Sequence, residues 1–140
     1  KVAGTHFTRA MIEMQDVPDR AGDASVCIMM FAPSSDKARE YAEALSAEGI
    51  GCGTMYNKEI PDRHIYPNWD YVLEKRGRTP NWSPWDKSVY KGNVEYSPDM
   101  CPQTLEYLGR TIHIGLSQAL TEKDCDDIVA GVRKVVTALS

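Results

Sequence analysis

The most chemically equipped stretch of the chain is Asp62-Arg63-His64-Ile65-Tyr66-Pro67-Asn68-Trp69. It sets an imidazole, which can gain or lose a proton near neutral pH, among an acid, a guanidinium, a phenol and an indole. Such groups bond a polar ligand and stack on a sugar or ring face, so His64 and Trp69 are candidate ligand contacts. His64 reads equally well as the surface histidine of a loop. Arg110, just before an alternating apolar segment, could grip a carboxylate or phosphate through its planar fork or simply pair with a surface acid, and the two readings stand level. Tyr56 and Asn57 follow a short strand that delivers them to the rim of a sheet, where sites are often lined but where loops also begin. In Asn81-Trp82-Ser83-Pro84-Trp85 the indoles could wall a pocket or pack a loop onto a core. His113 falls opposite its apolar neighbours and reads as structural or partly exposed, and His6 has no informative context.

Most of these candidates share one region. The stretch 56–98 holds all three Trp, five of the seven Tyr and five of the eight Pro. No repeat or long apolar period organises it. Aromatic, Pro-rich chain of this length is uncommon as mere connector, which points to a binding or lid role.

Other chemistries find little footing. Gly49-Ile50-Gly51-Cys52-Gly53 is a G-x-G-x-G run, but it follows a helix and precedes none, so it does not support dinucleotide binding. No Ser lies in G-x-S-x-G, and no pair of acids stands out as an acid/base couple. The four cysteines, Cys27, Cys52, Cys101 and Cys125, form no CxxC pair, which argues against a zinc site or a disulfide framework. Cys27 and Cys125 fall on apolar faces and are expected as buried thiols. Sixteen basic residues against twenty acidic give a formal charge of −4 with both signs interspersed, so neither nucleic acid nor an anionic membrane is an expected partner. The longest apolar run, Val26 to Ala32, is far short of the roughly 20 residues of a membrane helix, and the expected location is cytoplasmic.

At 140 residues and 42% apolar content the chain can build one domain over 1–140 with a real core. Around the turn-rich Asp16–Asp23, a strand, turn, strand reading fits Ala10–Met14 and the buried-type run Ala24–Ala32. Ser34 to Asp36 supplies a helix start, Ala38, Tyr41, Ala42 and Leu45 repeat at helical spacing, and Gly49 stands where a helix C-cap belongs. Ile50–Met55 returns as a strand, with Gly51 and Gly53 weakening it or admitting a close neighbour. Short helices are expected from Pro67, carrying Trp69, Val72 and Leu73 and ending at Arg76-Gly77-Arg78-Thr79-Pro80, and from Pro102, carrying Leu105 and Leu108. Ile112, Ile114 and Leu116 alternate as a strand with one buried face. Thr121 with Asp124 is a capping-box variant opening a last helix striped by Cys125, Ile128, Val129, Val132 and Val136. The order β-β-α-β, an irregular insertion over 56–101, then β-α predicts an α+β sandwich whose mainly antiparallel sheet is covered on one face by two helices.

Two passages resemble a known family. Leu45-Ser46-Ala47-Glu48-Gly49-Ile50-Gly51-Cys52-Gly53-Thr54-Met55-Tyr56 is similar to the helix-to-strand passage in the C-terminal domain of the DegT/StrS-type sugar aminotransferases, with Met55 where the family has His. Arg110-Thr111-Ile112-His113-Ile114-Gly115-Leu116, then Leu120-Thr121-Glu122-Lys123-Asp124 and an apolar helix, resembles that family's closing strand and last helix, with Gly115 in place of Pro. The similar stretches cover roughly 24–56 and 102–139. The resemblance implies a cytoplasmic homodimer that uses pyridoxal phosphate (PLP) to move an amino group from glutamate or glutamine onto a keto-sugar. The Trp-rich insertion looks most like the branch acting on an eight-carbon keto-sugar acid, the 8-amino-3,8-dideoxy-octulosonate transaminases. In the family the Schiff-base lysine lies in a larger, preceding domain. No lysine of this chain matches it, and with Lys1 opening the chain a fragment of a longer protein, inert alone, is expected. The matching position makes Tyr56 the first substrate-side candidate, with His64 supplying the polar contact that Met55 lacks.

A non-catalytic ligand-sensing module of the same α+β class is the main alternative, and an interaction domain using exposed Trp residues is a third.

Overall fold

The computed structural model describes residues 11–24, 26–55 and 61–140. In chain order the elements are β1 (Glu13–Met14), β2 (Cys27–Phe31), α1 (Ser35–Ala47), β3 (Cys52–Thr54), a 3-10 turn (Tyr66–Asn68), α2 (Asp70–Leu73), α3 (Pro102–Gly109), β4 (Thr111–Gly115) and α4 (Glu122–Leu139). The chain divides into two compact units, one formed by 1–55 with 106–140 and the other by 56–105. The second covers the stretch expected as an insertion.

The first unit is the expected α+β sandwich. Its four strands lie in the order β1-β2-β4-β3, every pair antiparallel. β4 is central, with Met30 opposite Ile112 and Ile28 opposite Ile114 on one side, and Cys52 opposite Ile114 on the other. Successive strand residues point to opposite faces, so Met30, Ala32, Ile112 and Ile114 share the face that meets the helices. That face is sealed by Ala38, Tyr41, Ala42 and Leu45 of α1 and by Val132, Val135 and Val136 of α4, all in one core cluster.

Local signals set the ends of both helices. Ser34 caps α1 by accepting from Lys37 N at 3.2 Å. Its C-terminus closes with Gly49 N donating to Ser46 O and Ile50 N to Leu45 O, both at 3.0 Å, a geometry that needs the left-handed φ of +84° at Gly49. Thr121 and Asp124 form a complete capping box on α4, Asp124 N donating to Thr121 Oγ1 and Asp124 Oδ2 accepting from Thr121 N at 2.8 Å. Lys37 Nζ then reaches from α1 to Leu139 O at the end of α4, 2.6 Å away, a favourable place for a cation. Tyr41, 1% exposed, directs its hydroxyl at Met11 O.

The cysteines correct one expectation. Cys125 is exposed because α4 turns Val132, Val135 and Val136 to the core while its first turn stands clear of it, and Cys27 is only half-buried because its place on β2 falls on the sheet face away from the helices. The apolar stripe of the sequence is right in its second half and overextended at its start.

Leu45 is fully buried, so Leu45→Ala is expected to cost about 2–5 kcal/mol of unfolding free energy, read from urea denaturation. The capping box carries a pH signature. Bonds from the Thr121 hydroxyl and backbone N–H hold the Asp124 carboxyl below its usual value. The resulting stabilisation is therefore present above the ordinary carboxylate range and fades as pH falls through that range toward the folded value. The melting-temperature gap between wild type and Thr121→Ala should narrow between about pH 5 and about pH 3, and a constant gap would contradict the pairing.

Candidate functional site

The expected site residues fall into three groups. Tyr56 and Asn57 lie outside the described residues. His64 and Trp69 belong to the 56–105 unit, and Arg110 to the sandwich.

His64 and Trp69 sit in a loop that ties itself together. Asp62 Oδ1 accepts from His64 N and contacts His64 Nδ1, each at 2.8 Å, while Asp62 O accepts from Asn68 Nδ2 at 2.7 Å. Trp69 Nε1 donates to Arg63 O at 2.7 Å. Ile65, 5% exposed, anchors the loop, and Pro67 favours the tight 3-10 turn that follows it. With the carboxylate facing Nδ1, the neutral ring carries its proton there and presents Nε2 outward as an acceptor. The side chain of His64 is 94% exposed, so this acceptor faces water. Trp69 is 44% exposed, with its indole N–H already used inside the loop.

Arg110 is engaged on the sheet face away from α1 and α4. Its guanidinium lies 4.9 Å from the Tyr107 ring centre and 5.8 Å from that of Phe31, and those two rings meet edge to face. Nε is 3.0 Å from Glu106 Oε1, off the line of its N–H, which makes the contact an ion pair without a hydrogen bond. Nη2 is 3.9 Å from Glu13 Oε2, and Nη1 donates to Ala32 O at 3.4 Å. Of the two readings of Arg110, pairing with neighbouring acids is the one this arrangement realises, in a stacked cluster that ties β1, β2 and α3 to the start of β4. His113, on the same sheet face, lies 3.1 Å from where a Cβ on Gly53 would stand. The imidazole is thus the close neighbour that Gly53 admits, and its Nδ1 is buried with no hydrogen-bond partner among the described residues.

The 56–105 unit also contains a cleft of about 610 Å³, lined by Tyr71, the segment 75–83 and Asp86. α2 ends with Lys75 in the left-handed region at φ 53°, Arg76 N donating to Tyr71 O at 2.8 Å. Such a backbone costs a non-glycine residue free energy, and here Ser83 Oγ–H on Lys75 O and Glu95 on Lys75 Nζ hold it in place. Gly77 then passes so near Trp82 that a Cβ would stand 1.5 Å from the Trp82 carbonyl oxygen, so only glycine fits. The two readings of the paired indoles divide between them. Trp82 lines the cleft at 51% exposure, while Trp85 packs edge to face on Tyr96, 6.0 Å between centres, and donates to its hydroxyl. In the sequence Arg76-Gly77-Arg78 reads only as a helix stop, and two arginines flanking a glycine four residues before a Trp are the one local mark of this cleft.

No described residue of this chain is placed to anchor pyridoxal phosphate. Lys37, Lys75, Lys123 and Lys134 are each paired with a carboxylate, Lys87 donates to Gly92 O, and Lys91 is exposed. Among the described residues no amine is left facing a phosphate cradle. Nor does any group of three or more His, Cys, Asp or Glu gather there to hold a metal ion, and no described helix is long and apolar enough to cross a membrane. Comparison with known proteins found no matching family model and no matching curated protein.

The thiols should react in an order set by this geometry. Cys101 and Cys125 are exposed, whereas Cys52 is half-buried beside Ala42 O and its thiol is pushed up by burial, partly offset by Ser46. Alkylation of the native chain, followed by peptide mass spectrometry, is expected to modify Cys101 and Cys125 well before Cys52.

Proposed function

We propose that this chain is the smaller lobe of a PLP-dependent sugar aminotransferase, acting in the cytoplasm within a homodimer. One observation carries the reading. β4 inserts between β2 and β3, the strand resembling the family's closing strand, and the 56–105 unit is connected between β3 and β4 at the position where Tyr56 matches the family. The lobe's task on this reading is shape. It supplies walls and hydrogen bonds for a keto-sugar acceptor, with His64 Nε2, Tyr56 and Asn57 as the candidate contacts, while cofactor and amino donor are held by another part of the protein. Arg110 enters this scheme as a positioning residue, since its guanidinium is already committed to Glu106, Phe31 and Tyr107. When bound, PLP supplies the electron sink for amino transfer, and none of this chain's described residues takes its anchoring role.

A ligand-sensing module is the competing reading, favoured by a cleft that lies wholly within the 56–105 unit. The two part company on the full-length protein. The aminotransferase reading expects an absorbance band from bound PLP that disappears when one lysine of a preceding α/β domain is replaced by Ala, and expects no such band from the 140-residue chain mixed with PLP. A full-length protein that takes up no PLP sinks this reading and leaves the sensor.

A further inference from the structure

We propose that the cleft of the 56–105 unit binds a small ring compound bearing a phosphate or carboxylate, its ring against Trp82 and its anionic group on Arg78 and Arg76. The proposal goes beyond the aminotransferase reading and does not depend on it.

Charge is the first observation. The whole chain carries a formal −4, yet the cleft lining sets Lys75, Arg76 and Arg78 against Asp86 alone. Part of that positive charge is already spent. Lys75 Nζ lies 2.7 Å from Glu95, and Arg76 places Nε 2.5 Å from Glu74 with its Cζ 4.6 Å from the Tyr71 ring centre. Asp86 turns its carboxylate inward to accept from Ser83 N at 2.7 Å. Arg76 is thus already ion-paired, whereas the guanidinium of Arg78 has no ion-pair partner among the described residues. A fork of this kind recognises phosphate and carboxylate oxygens in pairs.

The second observation is the aromatic surface beside these cations. Tyr71 and Trp82 line the same cleft at 57% and 51% exposure, and Trp82 Nε1 has no partner among the described residues. A bare anion would leave that indole unused, and a neutral ring would leave the Arg78 guanidinium in water. One ligand carrying both features engages all of them.

The third is rigidity. Gly77 closes against the Trp82 carbonyl, and Thr79 and Trp82 pair in an antiparallel bridge. The backbone that carries Arg76, Arg78 and Trp82 is thereby held in one arrangement before any ligand arrives, which lowers the ordering cost of binding.

The test is an NMR titration of the isotopically labelled 140-residue chain, following the Trp82 indole N–H, with glucose 6-phosphate, uridine 5′-monophosphate, galacturonate, inorganic phosphate and uridine. A saturating shift with at least one of the three charged ring compounds is expected, and which one responds separates sugar from base and phosphate from carboxylate. Inorganic phosphate and uridine should bind at least about tenfold more weakly than that compound, and so should the Arg78→Gln chain, as loss of a charge-assisted contact requires. Arg78→Lys, which keeps the charge without the fork, should recover only part of the affinity. An unchanged amide spectrum outside 71–86 establishes that the variants are folded, as expected for an exposed residue. The proposal is overturned if none of the three ring compounds gives a saturating shift. It is equally overturned if inorganic phosphate binds as tightly as they do, or if Arg78→Gln binds like wild type.

Discussion

Everything in the sandwich depends on β4 finding its place between two strands that come much earlier in the chain. Ile112 and Ile114 are buried only because β2 flanks them on one side and β3 on the other, while α1 and α4 close over the same face. Because strand side chains alternate, a slip of one residue would send both isoleucines to the far face and bring Thr111 and His113 inward. The register therefore selects the whole core. It also explains the layout of the chain: α1 connects β2 to β3 across a gap, and β4 fills that gap after the 56–105 unit.

The far face of the sheet is organised by different physics. Phe31 and Tyr107 bracket Arg110, whose charge is balanced by Glu106 and Glu13 and whose backbone oxygen accepts from Ala32 N at 2.9 Å. Thr111, 2% exposed, satisfies its hydroxyl on Tyr107 O. A cation kept from water is tolerated when it is stacked and paired in this way, and removal of any one partner would leave the others exposed to the cost. A guanidinium so committed is a poor candidate for gripping a ligand.

That unit is held together mainly by local bonds. Ile65 is its one buried hydrophobic residue among those described. In place of a core it has the Asp62 loop, the Lys75–Ser83–Asp86 network and the Trp85–Tyr96 contact. A structure of this kind leaves rings and charges at its surface by construction. The same sparse apolar burial leaves Trp69, Tyr71 and Trp82 at the surface.

The sequence by itself determined the helices and the fold class. Ser34, Gly49 and the Thr121–Asp124 pair mark helix ends through backbone groups a few residues away, and the 3.6 and 2.0 periods of Tyr41–Leu45 and Ile112–Ile114 mark the buried faces. Such signals act over one turn or one pleat, so they are visible in the order of residues. Only the tertiary structure decided that β4 is central, that Cys125 stands outside the core, that Arg110 is stacked and paired, and that Trp82 faces a cleft while Trp85 packs. Each of those outcomes depends on which distant residue arrives beside which, as Glu13 beside Arg110 or the Trp82 carbonyl against Gly77. Periodicity and capping carry no information about such meetings, because they are set by sheet order and by the path of an irregular chain.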